Sequence, residues 1–187
     1  MKSQKIAVVY KSKYGTTKQY AEWIAEALKS PLFESSKIKP PQLEGYDVVI
    51  YGGGLYAGGI DGIKLVSKAA CKKLVVFTVG LANIETTDFS GFLTKAFSQE
   101  QLTTIKVFHL RGAMNYKKLS LIHKGMMAVV KKEAEKKPVA DRTSDDVLML
   151  ETYGKEVDFM EKSAINPIVE YVGGFLRIPT YAPQFIL

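Results

Sequence analysis

Short, wholly apolar runs alternate with amphipathic ones through most of the chain. Residues 5–10 (KIAVVY), 47–51 (DVVIY), 73–79 (KLVVFTV) and 105–110 (IKVFHL) are rich in β-branched and aromatic side chains, and predict buried strands. A weaker fifth strand is predicted near 32–38 (LFESSKI). Over 17–29, Tyr20, Trp23, Ile24, Ala27 and Leu28 recur at helical spacing, and Pro31 stops the helix they predict. Further helices are predicted over 60–70, over 89–101 behind Asp88 or Ser90 as a cap, and over 117–136, ended by Pro138. Strands apolar on both faces, interleaved with helices, predict an α/β three-layer sandwich around a five-stranded parallel sheet. Beyond residue 140 the pattern predicts a helix over 144–152 with Gly154 as its left-handed cap, and an extended piece over 156–159. A final helix is predicted from Ser163 through Tyr171, ended by Gly173-Gly174. The apolar tail FLRIPTYAPQFIL either packs across the domain or meets a second subunit, as a homodimer would have it.

Composition narrows the classes. A length of 187 residues suits one domain over 1–187, with an irregular tail from about 173. One cysteine excludes a disulfide framework and a cysteine-rich metal site, and two histidines argue against a histidine metal cluster. No apolar run approaches the ~18 residues of a membrane-crossing helix. The apolar stretch at 6–10 is too short for a signal-peptide core, so a cytoplasmic protein is expected. The net charge of +7 is unevenly spread: residues 101–140 carry nine Lys and Arg against two acids, residues 141–187 four against eight. A basic face beside an acidic tail follows.

Ligands of an open parallel sheet sit beyond the carboxyl ends of its strands, and three such ends are informative. After the first strand stands Ser12-Lys13-Tyr14-Gly15-Thr16-Thr17. It combines three hydroxyls, a lysine, a glycine that allows close main-chain approach, and the N–H groups of a helix start, which together suit a phosphate. A capped turn with Thr17 as N-cap is the plainer alternative. After the second clear strand, Gly52, Gly53, Gly54, Gly58 and Gly59 lie around Leu55, Tyr56 and Ala57, a flat wall with a tyrosine able to stack on a ring. Gly52, Gly54 and Ala57 also fit G-x-G-x-x-A, but the acid a dinucleotide site needs about 20 residues on is missing. After the third comes Thr78-Val79-Gly80-Leu81-Ala82-Asn83.

These three turns resemble the flavodoxin-like family, whose phosphate motif [S/T]-x-x-G-x-T is met by Ser12, Gly15 and Thr17 within the first turn. The resemblance implies strand order 2-1-3-4-5 and FMN as cofactor. Ser12, Lys13, Tyr14, Gly15, Thr16 and Thr17 would hold its phosphate. Gly53, Gly54, Leu55, Tyr56 and Ala57 would face the isoalloxazine, with Thr78, Val79, Gly80 and Leu81 along its other side. The runs Arg111-Gly112-Ala113-Met114-Asn115-Tyr116 and TVGLANIETTDFSGFL are similar to the branch containing menaquinone-dependent protoporphyrinogen oxidases. That branch implies a substrate oxidised by the flavin and a quinone acceptor at the membrane. The alternative is a flavodoxin-type electron carrier, whose partner is a redox protein.

The chemistry-bearing residues outside the turns are few. In the basic helix, Leu119, Ile122, Met126 and Val129 predict one buried face, leaving the lysines of 117–137 to meet anionic lipid, an anionic substrate or an acidic partner. His109 reads as a packed strand histidine, His123 as a surface one, and Cys71 as inert. Arg111 and Tyr116 are candidates to border a substrate. No acid stands in the three turns before Glu85, an environment that destabilises a reduced, anionic flavin less than acidic surroundings would. A phosphoryl receiver would need acids where Tyr10, Tyr51 and Val79 stand, no G-x-x-x-x-G-K-[ST] appears, and no nucleic-acid module accompanies the charge.

Overall fold

The computed structural model describes residues 4–56 and 58–176. Its elements run β1 (Ile6–Lys11), α1 (Thr16–Leu28), β2 (Leu32–Glu34), α2 (Pro40–Leu43), β3 (Val48–Tyr56), β4 (Gly59–Ile60), α3 (Lys64–Ser67) and β5 (Leu74–Gly80). They continue with α4 (Ser90–Ala96), α5 (Gln99–Thr104), β6 (Lys106–Arg111), β7 (Ala113–Asn115), α6 (Leu121–Lys136), α7 (Ser144–Thr152), β8 (Glu156–Asp158) and α8 (Asn166–Leu176). Strands β2-β1-β3-β5-β6 make one parallel sheet, in which β4 is a short antiparallel partner of β3.

Alternation along each strand divides the interior in two. Val8, Ile50, Val75 and Phe77 face one side, where Tyr20 and Ile24 of α1 and Ile168 and Val172 of α8 cover them. Val9, Val49, Tyr51 and Val76 face the other, against Leu43 of α2, Ile63, Val66 of α3 and Phe97. The helical layers on both faces explain why the central strands carry no polar alternation.

The register sets the depth of every candidate site residue. Lys11 pairs with Gly53, Gly53 with Thr78, and Thr78 with His109, giving one row across the sheet. Gly54, Val79 and Leu110 form the next row outward.

Several elements differ from the sequence pattern. The glycine run is strand rather than loop: β3 continues through Tyr56, then turns back into β4. The helix predicted over 60–70 shrinks to α3, because Ile60 is spent on β4. The helix predicted over 89–101 breaks at Phe97, and Ser98 starts α5 with a reciprocal cap from Gln101. Before α6, residues 116–118 form a separate 3-10 turn, and Ser120 caps the helix proper. The helix over 144–152 and the positive φ of Gly154 are as expected. The last helix does not stop at Gly173-Gly174 but runs through both. Of the tail from about 173, residues 173–176 are helical; 177–187 lie outside the described residues.

The largest departure concerns α6. Its expected buried face is absent, for Ile122 is 74% and Val129 62% exposed, and Leu121 is 86% exposed. The helix does not lie on the sheet; it packs against α7 across the carboxyl end of the strands. Helical spacing is blind to this, because two different apolar stripes on α6 satisfy it. One, with Met126, Met127 and Val130, turns toward a cavity. The other, with Leu121, Ile122 and Val129, turns to solvent.

Candidate functional site

The turn after β1 and the start of α1 form the polar end of the site. Gly15 is the residue before the helix, at φ 93°, a conformation that L side chains avoid. Its N–H donates to Ser12 Oγ at 3.1 Å. No side chain caps α1 and no acid stands in its first turn, so its free N–H groups and the helix dipole are available to an anion. Thr17 is therefore not the N-cap: it is buried inside the helix and lines the cavity beside Gly54. Thr16 Oγ1 donates to Ala113 O at 3.3 Å, tying the turn to β7.

A cavity of about 530 Å³ opens from this turn along the ends of β3 and β5. Of the residues expected to hold a ligand, Ser12, Lys13, Tyr14, Thr16, Thr17, Gly54, Leu55, Tyr56, Val79, Gly80 and Leu81 line it. Gly53 and Thr78 do not. They belong to the row beneath, where a Cβ on Gly53 would lie 2.6 Å from Ile60 Cγ2 and the Thr78 hydroxyl is 2.6 Å from His109 Nδ1. Gly15 borders a neighbouring depression instead. Ala57 lies outside the described residues.

The structure adds residues that the three turns did not suggest. Gly112, Ala113 and Met114 form a further wall, held by Gly112 N donating to Gly80 O at 2.7 Å and by antiparallel pairing of β7 with β8. The extended stretch around 156–158 thus serves as the backing of that wall. Leu119, His123, Met126, Met127 and Val130 come from α6 and its approach, and Phe89 and Phe92 from α4 and the loop before it. His123 is consequently a cavity residue rather than a surface one. Its signal in the sequence was only its helical spacing from Met126 and Met127, which reads equally well as core.

Two carboxylates reach the cavity from outside the turns. Asp61 lies 3.9 Å from Lys13 Nζ, while Asp145 accepts from Thr87 Oγ1 at 3.0 and 3.2 Å. Lys13 also sits 3.5 Å above the Tyr56 ring. The cavity is therefore not acid-free, but each acid has a local partner.

The remaining candidates are structural. Arg111 donates to Leu81 O and stacks 3.8 Å over Phe159, and Tyr116 bonds Tyr153 at 2.8 Å; neither borders the cavity. His109 is packed, with Phe89 stacked 3.9 Å above it. Burial holds its imidazole below the ordinary value. Burial, with Glu44 nearby, pushes the Cys71 thiol up to about 11, which keeps it protonated and inert. Among the described residues no cluster of His, Cys, Asp and Glu would hold a metal ion, and no helix is long and apolar enough to cross a membrane.

A model of the flavodoxin domain matches residues 7–141. No curated protein matches the chain. Among solved structures, a WrbA-like flavodoxin from Agrobacterium tumefaciens is 24% identical over 50% of this chain and 69% of its own, with a TM-score of 0.41. Oxidised flavodoxin 2 from Bacillus cereus is 21% identical over 57% of this chain and 84% of its own, with a TM-score of 0.44. A flavoprotein from Lactobacillus acidophilus, solved in complex with FMN, is 14% identical over 58% of this chain and 92% of its own, with a TM-score of 0.41. The family match and the sheet order together make the fold flavodoxin-like.

Proposed function

Since the chain belongs to the flavodoxin-domain family, we propose that it is an FMN-dependent oxidoreductase, similar to the protoporphyrinogen oxidases, passing electrons from a reduced small-molecule substrate to an acceptor such as a quinone. The observation that carries this reading is the single cavity joining an uncapped, acid-free helix start to the main chain of Gly54 and Gly80 and to an apolar wall. That donor set suits a phosphate at one end and a flat ring at the other. When bound, FMN supplies transfer of a hydride or of single electrons.

The chain's own residues do the rest. Ser12, Thr16, Thr17 and the first N–H groups of α1 bind the phosphate, and Lys13 adds a positive charge. Leu55 and Tyr56 face the ring on one side; Val79, Gly80 and Leu81 flank the other. Met114, Leu119, Met126 and Met127 exclude water from the space beside it. A helix covering this space favours an enzyme with its own substrate over a carrier that meets its partner at an open ring edge. A role at an anionic membrane surface, on the cytoplasmic side, is supported by the solvent-facing apolar stripe of α6 and the neighbouring Lys118, Lys124, Lys132 and Lys136.

Anaerobic mixing of the FMN-loaded protein with protoporphyrinogen tests the reading. Bleaching of the flavin, followed by recovery on adding menaquinone and a rise in porphyrin fluorescence, is expected. A flavin that ignores both compounds but, once reduced with dithionite, discharges rapidly to an oxidised iron–sulfur protein would establish the carrier instead.

A further inference from the structure

His123 stands where three separate parts of the molecule meet. It belongs to the first turn of α6, where its N–H donates to Ser120 Oγ at 3.3 Å, the cap of that helix. Its Nδ1 is hydrogen-bonded to the hydroxyl of Tyr14 in the turn after β1. The same hydroxyl accepts from Ser120 N at 3.4 Å, which leaves its own proton for the imidazole. The His123 ring is edge-on to Tyr14, with centroids 5.4 Å apart, and edge-on to Tyr56 at 4.7 Å. Tyr56 in turn reaches back to α6 through its hydroxyl, 3.4 Å from Met126 Sδ.

The ring is thus fixed in tilt and rotation by contacts from the turn after β1 and from the end of β3, the two segments that hold the polar and flat ends of the cavity. The anchoring matters because the packing of α6 against α7 leaves its first turn to be tied to the strand ends by these contacts. Its outer stripe touches solvent, and Ala134 is the buried residue of the helix.

We propose that His123 is a positioning residue for the flavin: through Tyr14 it clasps α6 over the cavity, and through Tyr56 it sets the plane of the ring that faces the isoalloxazine. This rests on the FMN reading above. The clasp must open for the cofactor to enter or leave, so it governs how fast FMN is released and how firmly the flavin is oriented. It takes no part in the chemical step.

The test uses the full-length protein loaded with FMN. Release is followed as recovery of free-flavin fluorescence on dilution, and orientation as visible circular dichroism of the bound flavin. His123→Ala should release FMN about 5- to 10-fold faster, the scale of one lost hydrogen bond, and should change the visible dichroism. His123→Asn carries an amide oxygen as far from Cβ as Nδ1, so it should restore much of the slow release. Tyr14→Phe changes no residue of α6 but removes the hydroxyl from both His123 and the Ser120 N–H. It should also speed release, and the double variant should be slower than the product of the two single effects, because both remove the same hydrogen bond. Release and dichroism equal to wild type in both His123→Ala and Tyr14→Phe would overturn the proposal, as would strictly additive effects. A wild-type protein that takes up no FMN would overturn the flavin reading itself, and this clasp with it.

Discussion

Gly52 and Gly54 show how one glycine run serves two purposes. A Cβ at Gly52 would lie 2.1 Å from Cζ of the buried Phe77 ring, so glycine there is demanded by core packing. At Gly54 the nearest atoms, Thr17 Oγ1 and Val79 O, stand at 3.7 and 4.0 Å, and the position opens on the cavity. Composition sees the two alike, and only the register separates them. His109 offers a sharper test of residue-scale chemistry. Burial lowers its pKa in the folded protein, so the unfolded chain takes up its proton first as the pH drops below about 6.5. Below that value the unfolded state binds more protons, and stability falls with falling pH until the folded value is passed. In thermal melts the advantage of wild type over His109→Gln should therefore narrow between pH 7.5 and pH 5; an advantage that widens toward acid would reverse the sign assigned here. The phosphate-type turn was legible because Ser12, Gly15 and Thr17 are local in sequence. Thr78 was not, because its depth depends on pairing with His109 across the sheet.

At the scale of elements, the strands were legible and the second-layer helices were not. A strand buried on both faces leaves an uninterrupted apolar run, and β1, β3, β5 and β6 each start within a residue of the predicted place. Helices fail where tertiary contacts overrule period: β4 takes Ile60 from α3, and the break at Phe97 splits α4 from α5. In α6 the period itself was ambiguous, since lining a cavity and facing a core need the same spacing. The two readings differ measurably. Ile122→Ala should change stability by no more than about 0.5 kcal/mol, as at any exposed position. Ile168→Ala in α8, a fully buried position, should cost about 2–5 kcal/mol. Chemical denaturation distinguishes them; a large loss from Ile122→Ala would restore the buried face that the helical period suggested.

For the whole molecule, the flavodoxin-domain match ends at residue 141, yet the packing does not. Ile165, Ile168 and Val172 share a core with Val8, Tyr20 and Phe77, and the main chain of Phe159 bonds Gly112 O at 3.1 Å. Residues 142–176 thus brace the wall behind the cavity, a role invisible in a segment that matches no motif. Charge is organised on the same scale: the lysines of α6 flank an exposed apolar stripe close to the cavity mouth. Flotation with vesicles should show binding to anionic but not neutral lipid, weakening as salt rises, and indifference to lipid charge at low salt would remove the membrane surface from the account. The central claim, that the uncapped start of α1 holds a phosphate and the β3 and β5 ends a flavin ring, is tested most directly by titrating the unloaded protein with FMN and following quenching of flavin fluorescence. Saturable binding by the wild type, weakened far more in Gly15→Asp than in Gly15→Asn, which brings the same backbone strain without the charge, is the predicted result; a wild-type protein that leaves the fluorescence unchanged, or an aspartate variant that binds as tightly as the asparagine one, would contradict it.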